Sequence, residues 1–394
     1  MSKCVVACSG GPDSMALLDQ LYKQKKDIVV AHVNYQHRDT AFRDEKIVKE
    51  YCKERNIEVF VLYPQYTSGN FQAWARDVRY AFFEKVAKQQ SCDSIFVAHQ
   101  MDDVIETYFF QKKRNMVCDW YGLKAKSKRH GYWIVRPLLG YTKKELEMYC
   151  KENRVSFGID ESNLTNHYTR NVIRHTQIDA MTRLEKEEWI QKIKQENTVL
   201  QIQNDAIHAF FEDWNQDVNA LLKQEKAWLY LDALLYASLH HHFSRKYLEE
   251  LVRQLSKDVL IEVEGYLLER HQNRLYFKIK PEPVFYTLNT VDEQKYPEFS
   301  IEKKGKTIES FSVSPSDFPL TIRRVKASDE ICMRFGKKNV HRFFVDRKIS
   351  KIQRKYWLVI ENQKGQVIFV PGLGCDVEHY SQNGQFYFKM HGLA

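Results

Sequence analysis

Over its first 180 residues the chain alternates short apolar runs with longer stretches in which apolar side chains recur at helical spacing. The runs at residues 4–7, 28–33, 59–62, 95–98 and 133–135 predict strands, and the stretches 13–24, 40–55, 71–90 and 142–153 predict amphipathic helices between them. Alternation of this kind predicts an α/β fold, a parallel sheet with helices on both faces. The last of these helices opens with Thr142 and Glu145 in capping-box spacing. In open sheets of this class ligands sit beyond the carboxyl ends of the strands, so candidate chemistry is sought there.

The pattern changes after Arg174. Residues 179–224 and 228–256 are long, charged and helix-periodic, with very little Gly or Pro, and predict a mainly helical region. His240, His241 and His242 lie within it; adjacent positions on a helix point in different directions, which argues for a structural role and against a shared metal. Residues 266–269 and 275–279 flank a turn and predict a hairpin, and the Pro-containing tract 281–297 reads as a linker. Beyond residue 301, aromatic and β-branched runs at 356–360 and 367–370 predict a small mixed C-terminal domain with much β structure. The expected division is 1–178, 179–285 and 300–394.

A chain of 394 residues that is 43% hydrophobic and 28% charged can build two or three separately cored domains. No run approaches the roughly 18–20 apolar residues of a membrane span, and the N-terminus lacks the order of a signal peptide, so a cytoplasmic protein with no membrane partner is expected. The eight cysteines include no CxxC pair, which argues against a zinc ribbon and a disulfide framework. The net charge of +9 is unevenly spread. Between Lys112 and Arg129 seven Lys or Arg face the single acid Asp119, and between Arg323 and Lys355 twelve face Asp329, Glu330 and Asp346. Such stripes suit either a polyanion, whose condensed counterions each cation releases, or an ordinary solvated face.

The sharpest local signal is Ser9-Gly10-Gly11-Pro12-Asp13-Ser14, between a predicted strand and a predicted helix. Consecutive glycines permit a tight turn and close ligand approach, and the N–H groups of the helix start suit an oxyanion. No Lys follows the glycines, so this is not the commoner GxxxxGK[ST] phosphate loop. After the fourth strand come His99, Asp102, Asp103, Glu106 and Thr107, whose spacing gathers carboxylates on one helix face. They suit a cation, either nucleotide-bound magnesium or an ammonium group, or they simply complement the helix dipole. Arg76 and Arg79 stand one turn apart beside aromatic residues, where phosphate charge could be met. A fourth group comprises Asp160, Ser162 and Asn163, then Arg170, Asn171 and Arg174.

SGGxDS resembles the signature of the PP-loop ATP pyrophosphatases, and the groups taken in order resemble the bacterial tRNA(Ile)-lysidine synthetases. The matching positions are Ser9 to Ser14; His32 and Val33 with Arg38; Ala75 and Arg76 with Arg79, Tyr80 and Phe83; and His99 with Asp102, Asp103, Glu106 and Thr107. They continue through Arg136, Pro137, Leu138 and Leu139, then Asp160, Ser162 and Asn163, then Arg170, Asn171, Ile173 and Arg174. Arg323, the run Gly336, Lys337 and Lys338, then Arg347, Arg354 and Val370 to Gly372 extend the likeness to the C-terminal part. Tyr35, Gln36, His37, Gln72 and Val104 depart from the family pattern.

The resemblance implies that ATP adenylates the C2 oxygen of the wobble cytidine in the CAU anticodon of an isoleucine tRNA, after which the side-chain amine of free L-lysine displaces AMP. It implies ATP binding by Ser9, Gly10, Gly11, Pro12, Asp13, Ser14, Arg76 and His99, and catalytic roles for Asp13, Asp103, Glu106 and Arg170. Asp103 and Glu106 would hold lysine, and Asp13 and Asp102 would hold magnesium. Lys112, Lys113, Arg114, Arg174, Arg323, Arg324, Lys337, Lys338 and Arg347 would contact tRNA, with the helical and C-terminal domains as the gripping parts. Whether two chains pair as a homodimer is left open. A PP-loop tRNA thiolation enzyme is the alternative; it would require a persulfide-carrying cysteine or an iron–sulfur site, and the missing CxxC counts against it.

Overall fold

The computed structural model describes residues 3–36, 40–66, 68–158, 173–381 and 383–392. Arg38, Asp160, Ser162, Asn163, Arg170 and Asn171 lie outside them. The chain divides into two compact units, residues 1–209 with 242–245, and residues 210–241 with 246–394.

The first unit is built on a six-stranded sheet. Its elements run β1 (Cys4–Ala7), α1 (Pro12–Lys23), β2 (Ile28–Val33), α2 (Thr40–Glu54), β3 (Glu58–Leu62), α3 (Phe71–Gln89), β4 (Ser94–Val97), α4 (Met101–Lys113), β5 (Lys126–Arg129), β6 (Tyr132–Val135), α5 (Lys143–Glu152) and α6 (Arg183–Glu212). The strand order is β3-β2-β1-β4-β6-β5, parallel except for the antiparallel β5–β6 edge. Alternating side chains feed two cores. Val6 and Val30 pack with Leu17, Val48, Tyr51 and Leu146 on one face, while Val5, Val29 and Ile95 pack with Tyr80, Phe83 and Val86 on the other. Burial on both faces explains why these strands read as near-continuous apolar runs. The order reverses between β1 and β4, and the loops leaving those two strands therefore open a crevice at their carboxyl ends.

β5 carries no apolar run by which to predict it, because its segment is polar throughout: Lys126, Ser127, Lys128 and Arg129 form an edge strand against β6. Edge strands carry lysines without penalty, since one side of the ladder meets water.

The second unit holds helices α7 (Val218–Leu222), α8 (Ala227–Leu239) and α9 (Arg245–Gln254), which breaks the two predicted helical stretches into shorter pieces. His240 ends α8 in the left-handed conformation, so the three histidines do not share a helix. The predicted hairpin is a three-stranded sheet of β7 (Val259–Val263), β8 (Tyr266–His271) and β9 (Arg274–Ile279). The tract 281–297 is not a bare linker: it supplies β10 (Phe285–Leu288) and β11 (Gln294–Lys295), whose partners lie further along the chain. The remaining strands are β12 (Phe299–Glu302), β13 (Ser310–Phe311), β14 (Leu320–Arg324), β15 (Glu330–Met333), β16 (Gly336–Asn339), β17 (Leu358–Glu361), β18 (Val367–Val370), β19 (Gly374–Cys375) and β20 (Phe386–Met390). Together with β10 and β11 they form a seven-stranded and a four-stranded sheet. Phe299, Phe311, Phe369 and Phe388 are packed in one apolar core drawn from both sheets. Helix α10 (Val340–Asp346) covers a second core with Phe343, Phe344 and Trp357, and helix α11 (Lys351–Tyr356) follows it.

Candidate active site

The loop after β1 turns at Gly10, whose φ of +89° and whose distance of 2.8 Å from a would-be Cβ to the Asp44 carbonyl oxygen exclude a side chain. Ser14 organises this loop. Its Oγ accepts the amides of Ser9 at 3.1 Å and Gly10 at 3.2 Å and donates to the Gly11 carbonyl at 3.0 Å. Pro12 opens α1, where its missing N–H costs nothing. Two of the loop amides expected to face phosphate are thus bonded to Ser14, and the positive end of α1 remains as the loop's anion-attracting feature.

Asp13 follows in the first turn of α1. Its Oδ1 is buried without a hydrogen-bond partner among the described residues. Burial, with a further push from the Asp103 charge, raises its carboxyl to about 7. A buried carboxylate oxygen lacking a donor is the environment that a cation relieves. Magnesium fits it, since that ion takes one or two protein carboxylates and completes its shell with phosphate and water. No cluster of three or more metal-ligating side chains occurs among the described residues.

The carboxylates of α4 separate into distinct roles. Gln100 and Asp103 form a reciprocal cap, with the Gln100 amide donating to Asp103 Oδ2 at 2.9 Å. The other Asp103 oxygen, Oδ1, accepts Arg174 Nη2 at 2.9 Å, and Arg174 Nε lies 3.6 Å from Glu106 Oε2. Arg174 therefore joins the acidic group. Asp102 takes a different partner. Its Oδ1 is 2.7 Å from Lys186 Nζ of α6 in a pair with side chains only 4% and 9% exposed. Lys186 and the Asn197 that binds Tyr121 were not singled out from the sequence, because their partners are distant along the chain.

His99 stands beside α4 and accepts Arg136 Nε at Nδ1, 3.3 Å away. Desolvation outweighs the attraction of Asp103 and pushes its imidazole down to about 4, so the ring is neutral and carries its proton on Nε2. On α3, capped by Asn70, Arg76 stacks over Tyr80 at 5.4 Å and Arg79 Nε donates to the Ala75 carbonyl at 3.3 Å. No described carboxylate pairs with either arginine.

Two cavities adjoin here. The larger, about 760 Å³, is lined by Ser9, Gly11, Arg76, Arg79, Asp103, Glu106 and Arg174, with Tyr35, Tyr66 and Phe71 among its aromatic walls. The smaller, about 250 Å³, lies over the ends of β1, β2 and β4 and is lined by Asp13, Ser14 and His99 with Ala31, Val33, Phe83 and Val97. Ser9, Val33, Tyr35, Arg76 and Arg79 border both. The polar, partly apolar smaller space suits a nucleoside, and the larger suits a second substrate whose reacting atom meets the phosphates. Cys8 lines the smaller cavity, but burial pushes its thiol up to about 11, which makes it a poor nucleophile.

The basic positions divide as well. Lys112 is bonded to Glu196 at 2.7 Å, while Lys113 and Arg114 are exposed, the latter over Phe110 at 4.4 Å. In the second unit Arg323 is 7% exposed, with both terminal nitrogens on Asp329 at 2.8 Å and Nε on Glu361 at 2.9 Å. It forms an ion cluster with these two acids inside the fold. Arg324 is half-buried against Tyr356. Lys337 and Arg347 are exposed, and Lys338 is half-buried over Phe343 at 5.6 Å.

Residues 1–181 match the PP-loop domain family. The chain is 32% identical to the tRNA(Ile)-lysidine synthase of Malacoplasma penetrans over 301 residues, covering 73% of this chain and 99% of that protein. Against the tRNA(Ile)-lysidine synthase of Mycoplasma mycoides identity is 30% over 388 residues, covering 93% and 96%. Against that of Bacillus subtilis it is 28%, covering 94% and 89%.

Proposed function

The chain belongs to the tRNA(Ile)-lysidine synthase family, and from that premise we propose that it is a cytoplasmic carbon–nitrogen ligase. It joins the side-chain amine of free L-lysine to C2 of the wobble cytidine in the CAU anticodon of an isoleucine tRNA, converting ATP to AMP and pyrophosphate. The product base, lysidine, pairs as AUA demands rather than AUG. The observation that carries this reading is the junction of the two cavities, where the Ser9–Ser14 loop and the Asp103, Glu106 and Arg174 group border one space.

In the first step the C2 oxygen of cytidine bonds to the α-phosphorus of ATP as the bridging oxygen to pyrophosphate leaves. The charge gathering on pyrophosphate is met by the positive end of α1 and by Arg76 and Arg79, which no described acid neutralises. His99, neutral, supplies an N–H to the nucleotide. Magnesium, held by Asp13 and the phosphates, would neutralise further phosphate charge. In the second step the lysine amine adds to C2 and AMP departs with the oxygen. Asp103 and Glu106 both border the larger cavity and bring carboxylate oxygens to it, the kind of group that attracts the lysine ammonium. A carboxylate of this pair, or a water, removes the proton that makes the amine nucleophilic. Arg170, outside the described residues, is assigned to a phosphate or the activated base. Residues 1–178 form the catalytic domain in this proposal, and 179–285 and 300–394 grip the tRNA, with Lys113, Arg114, Lys337, Lys338 and Arg347 as exposed or half-exposed cations.

The test is incubation of the protein with ATP, magnesium, labelled lysine and an isoleucine tRNA carrying CAU, followed by alkaline deacylation. Label retained on RNA only when ATP is present is the expected result. AMP and pyrophosphate formed without retained label would leave adenylation standing and remove lysine as the nucleophile. Thiolation would then be tested next, although the buried, high-pKa thiol of Cys8 argues against it.

A further inference from the structure

The tip of the β15–β16 hairpin leaves one large apolar side chain in water. The register pairs Met333 with Gly336, so Arg334 and Phe335 alone make the turn, and Gly336 at a φ of +108° closes it. Phe335 is 96% exposed, more than any other large apolar residue described. Packing does not explain it, because a two-residue turn asks for Gly, Asn or Asp and gains nothing from an aromatic ring. Its surroundings are cationic. The Arg334 guanidinium lies 5.7 Å from the ring, and exposed Lys337 and half-buried Lys338 follow on β16. No acid occurs between Ile331 and Val345.

We propose that Phe335 stacks on an unpaired nucleobase of the tRNA while Arg334, Lys337 and Lys338 hold the adjacent phosphates. The inference rests on the proposed tRNA substrate and goes beyond it by naming the contact. Charge selects a polyanion as the partner. The ring then selects an unstacked base within it, since the major groove of an A-form duplex is too deep and narrow for side chains while splayed bases stack on aromatics. Stacking of this kind tolerates any base, so the tip anchors the tRNA without reading sequence.

The experiment measures steady-state lysine incorporation by the full chain with Phe335→Ala, Phe335→Trp and Phe335→Leu, together with tRNA affinity over a salt series. Phe335→Ala is expected to raise KM for tRNA roughly 5- to 100-fold, within the range that aromatic truncation produces at stacked bases, with kcat, KM for lysine and thermal midpoint unchanged. Phe335→Trp is expected to restore affinity and Phe335→Leu to fail, and the salt slope should follow Lys337 and Lys338 but not Phe335. An unaltered KM for tRNA in an active Phe335→Ala enzyme overturns the inference and leaves the proposed function intact. Full rescue by Leu also overturns it, by showing an apolar contact without stacking. A change of oligomeric state at unchanged tRNA affinity overturns it too, because the ring would then meet a second copy of the chain. Absence of lysine incorporation by the unsubstituted protein would instead count against the proposed function.

Discussion

Arg174 donates from Nη2 to Oδ1 of Asp103 at 2.9 Å, while Oδ2 of the same carboxylate accepts the Gln100 amide at 2.9 Å. One side chain thus fixes both the start of α4 and the guanidinium that faces Glu106. Removing either partner takes from the other its shortest charged contact, leaving Arg174 with Glu106 at 3.6 Å and Asp103 with the Gln100 amide. We expect Arg174→Ala and Asp103→Asn to be non-additive in chemical denaturation, with a coupling of about 1–3 kcal/mol. Asp103→Asn should also raise KM for lysine, since a carboxylate bordering the larger cavity loses its charge. Additivity within about 0.5 kcal/mol would show that the pair contributes nothing.

Asp13 gives a pH dependence of definite sign. Its folded carboxyl titrates near 7 against an ordinary value of 3.8, so between those limits the folded chain binds a proton that the unfolded chain has released. The associated stability is present below about pH 4 and is lost as pH rises to about 7. Asp13→Asn should remove that loss and raise the thermal midpoint of the ligand-free protein at pH 7, while abolishing ATP turnover. Magnesium–nucleotide affinity of the unsubstituted protein should tighten as pH passes upward through about 7, because the cation competes with the proton. A flat calorimetric titration would remove Asp13 from the cation site.

The Lys186–Asp102 pair separates structure from catalysis. Lys186→Met leaves Asp102 buried beside an apolar side chain and should cost about 3–5 kcal/mol. Asp102→Asn with Lys186→Met should recover most of that stability and keep ATP turnover, measured by pyrophosphate release. Loss of turnover in a well-folded double variant would return Asp102 to the reaction.

Arg323 and the hairpin lysines should differ in kind. Arg323→Ala is expected to destabilise the protein by about 3–5 kcal/mol, because Asp329 and Glu361 lose their shared cation. It should leave the dependence of tRNA affinity on salt unchanged. Lys337→Ala with Lys338→Ala should do the reverse, lowering the slope of log affinity against log salt by about one for each phosphate no longer neutralised. A reduced slope for Arg323→Ala would place its guanidinium on RNA after all.

The sequence by itself determined the sheet strands β1 to β4 and β6, the helices between them, the Ser9–Ser14 loop and the cap that starts α5. Each of these depends on neighbours a few residues apart, where apolar period, glycine freedom and capping spacing act directly. It also placed Asp13, His99, Asp103 and Glu106 at one end of the sheet, because topology carries every β–α loop of a parallel sheet to the same edge. Only the tertiary structure decided how charges are shared. Asp102 and Asp103 are adjacent in the chain, yet one turns to Lys186 and the other to Arg174. Arg323 and Lys337 belong to one basic stripe, yet the first is buried among acids and the second is exposed. The charged β5 and the strands β10 and β11 within the supposed linker likewise exist only through partners elsewhere in the chain. A side chain's charge is local information; whether it is used in a fold contact or kept for a ligand depends on the partner that folding brings beside it.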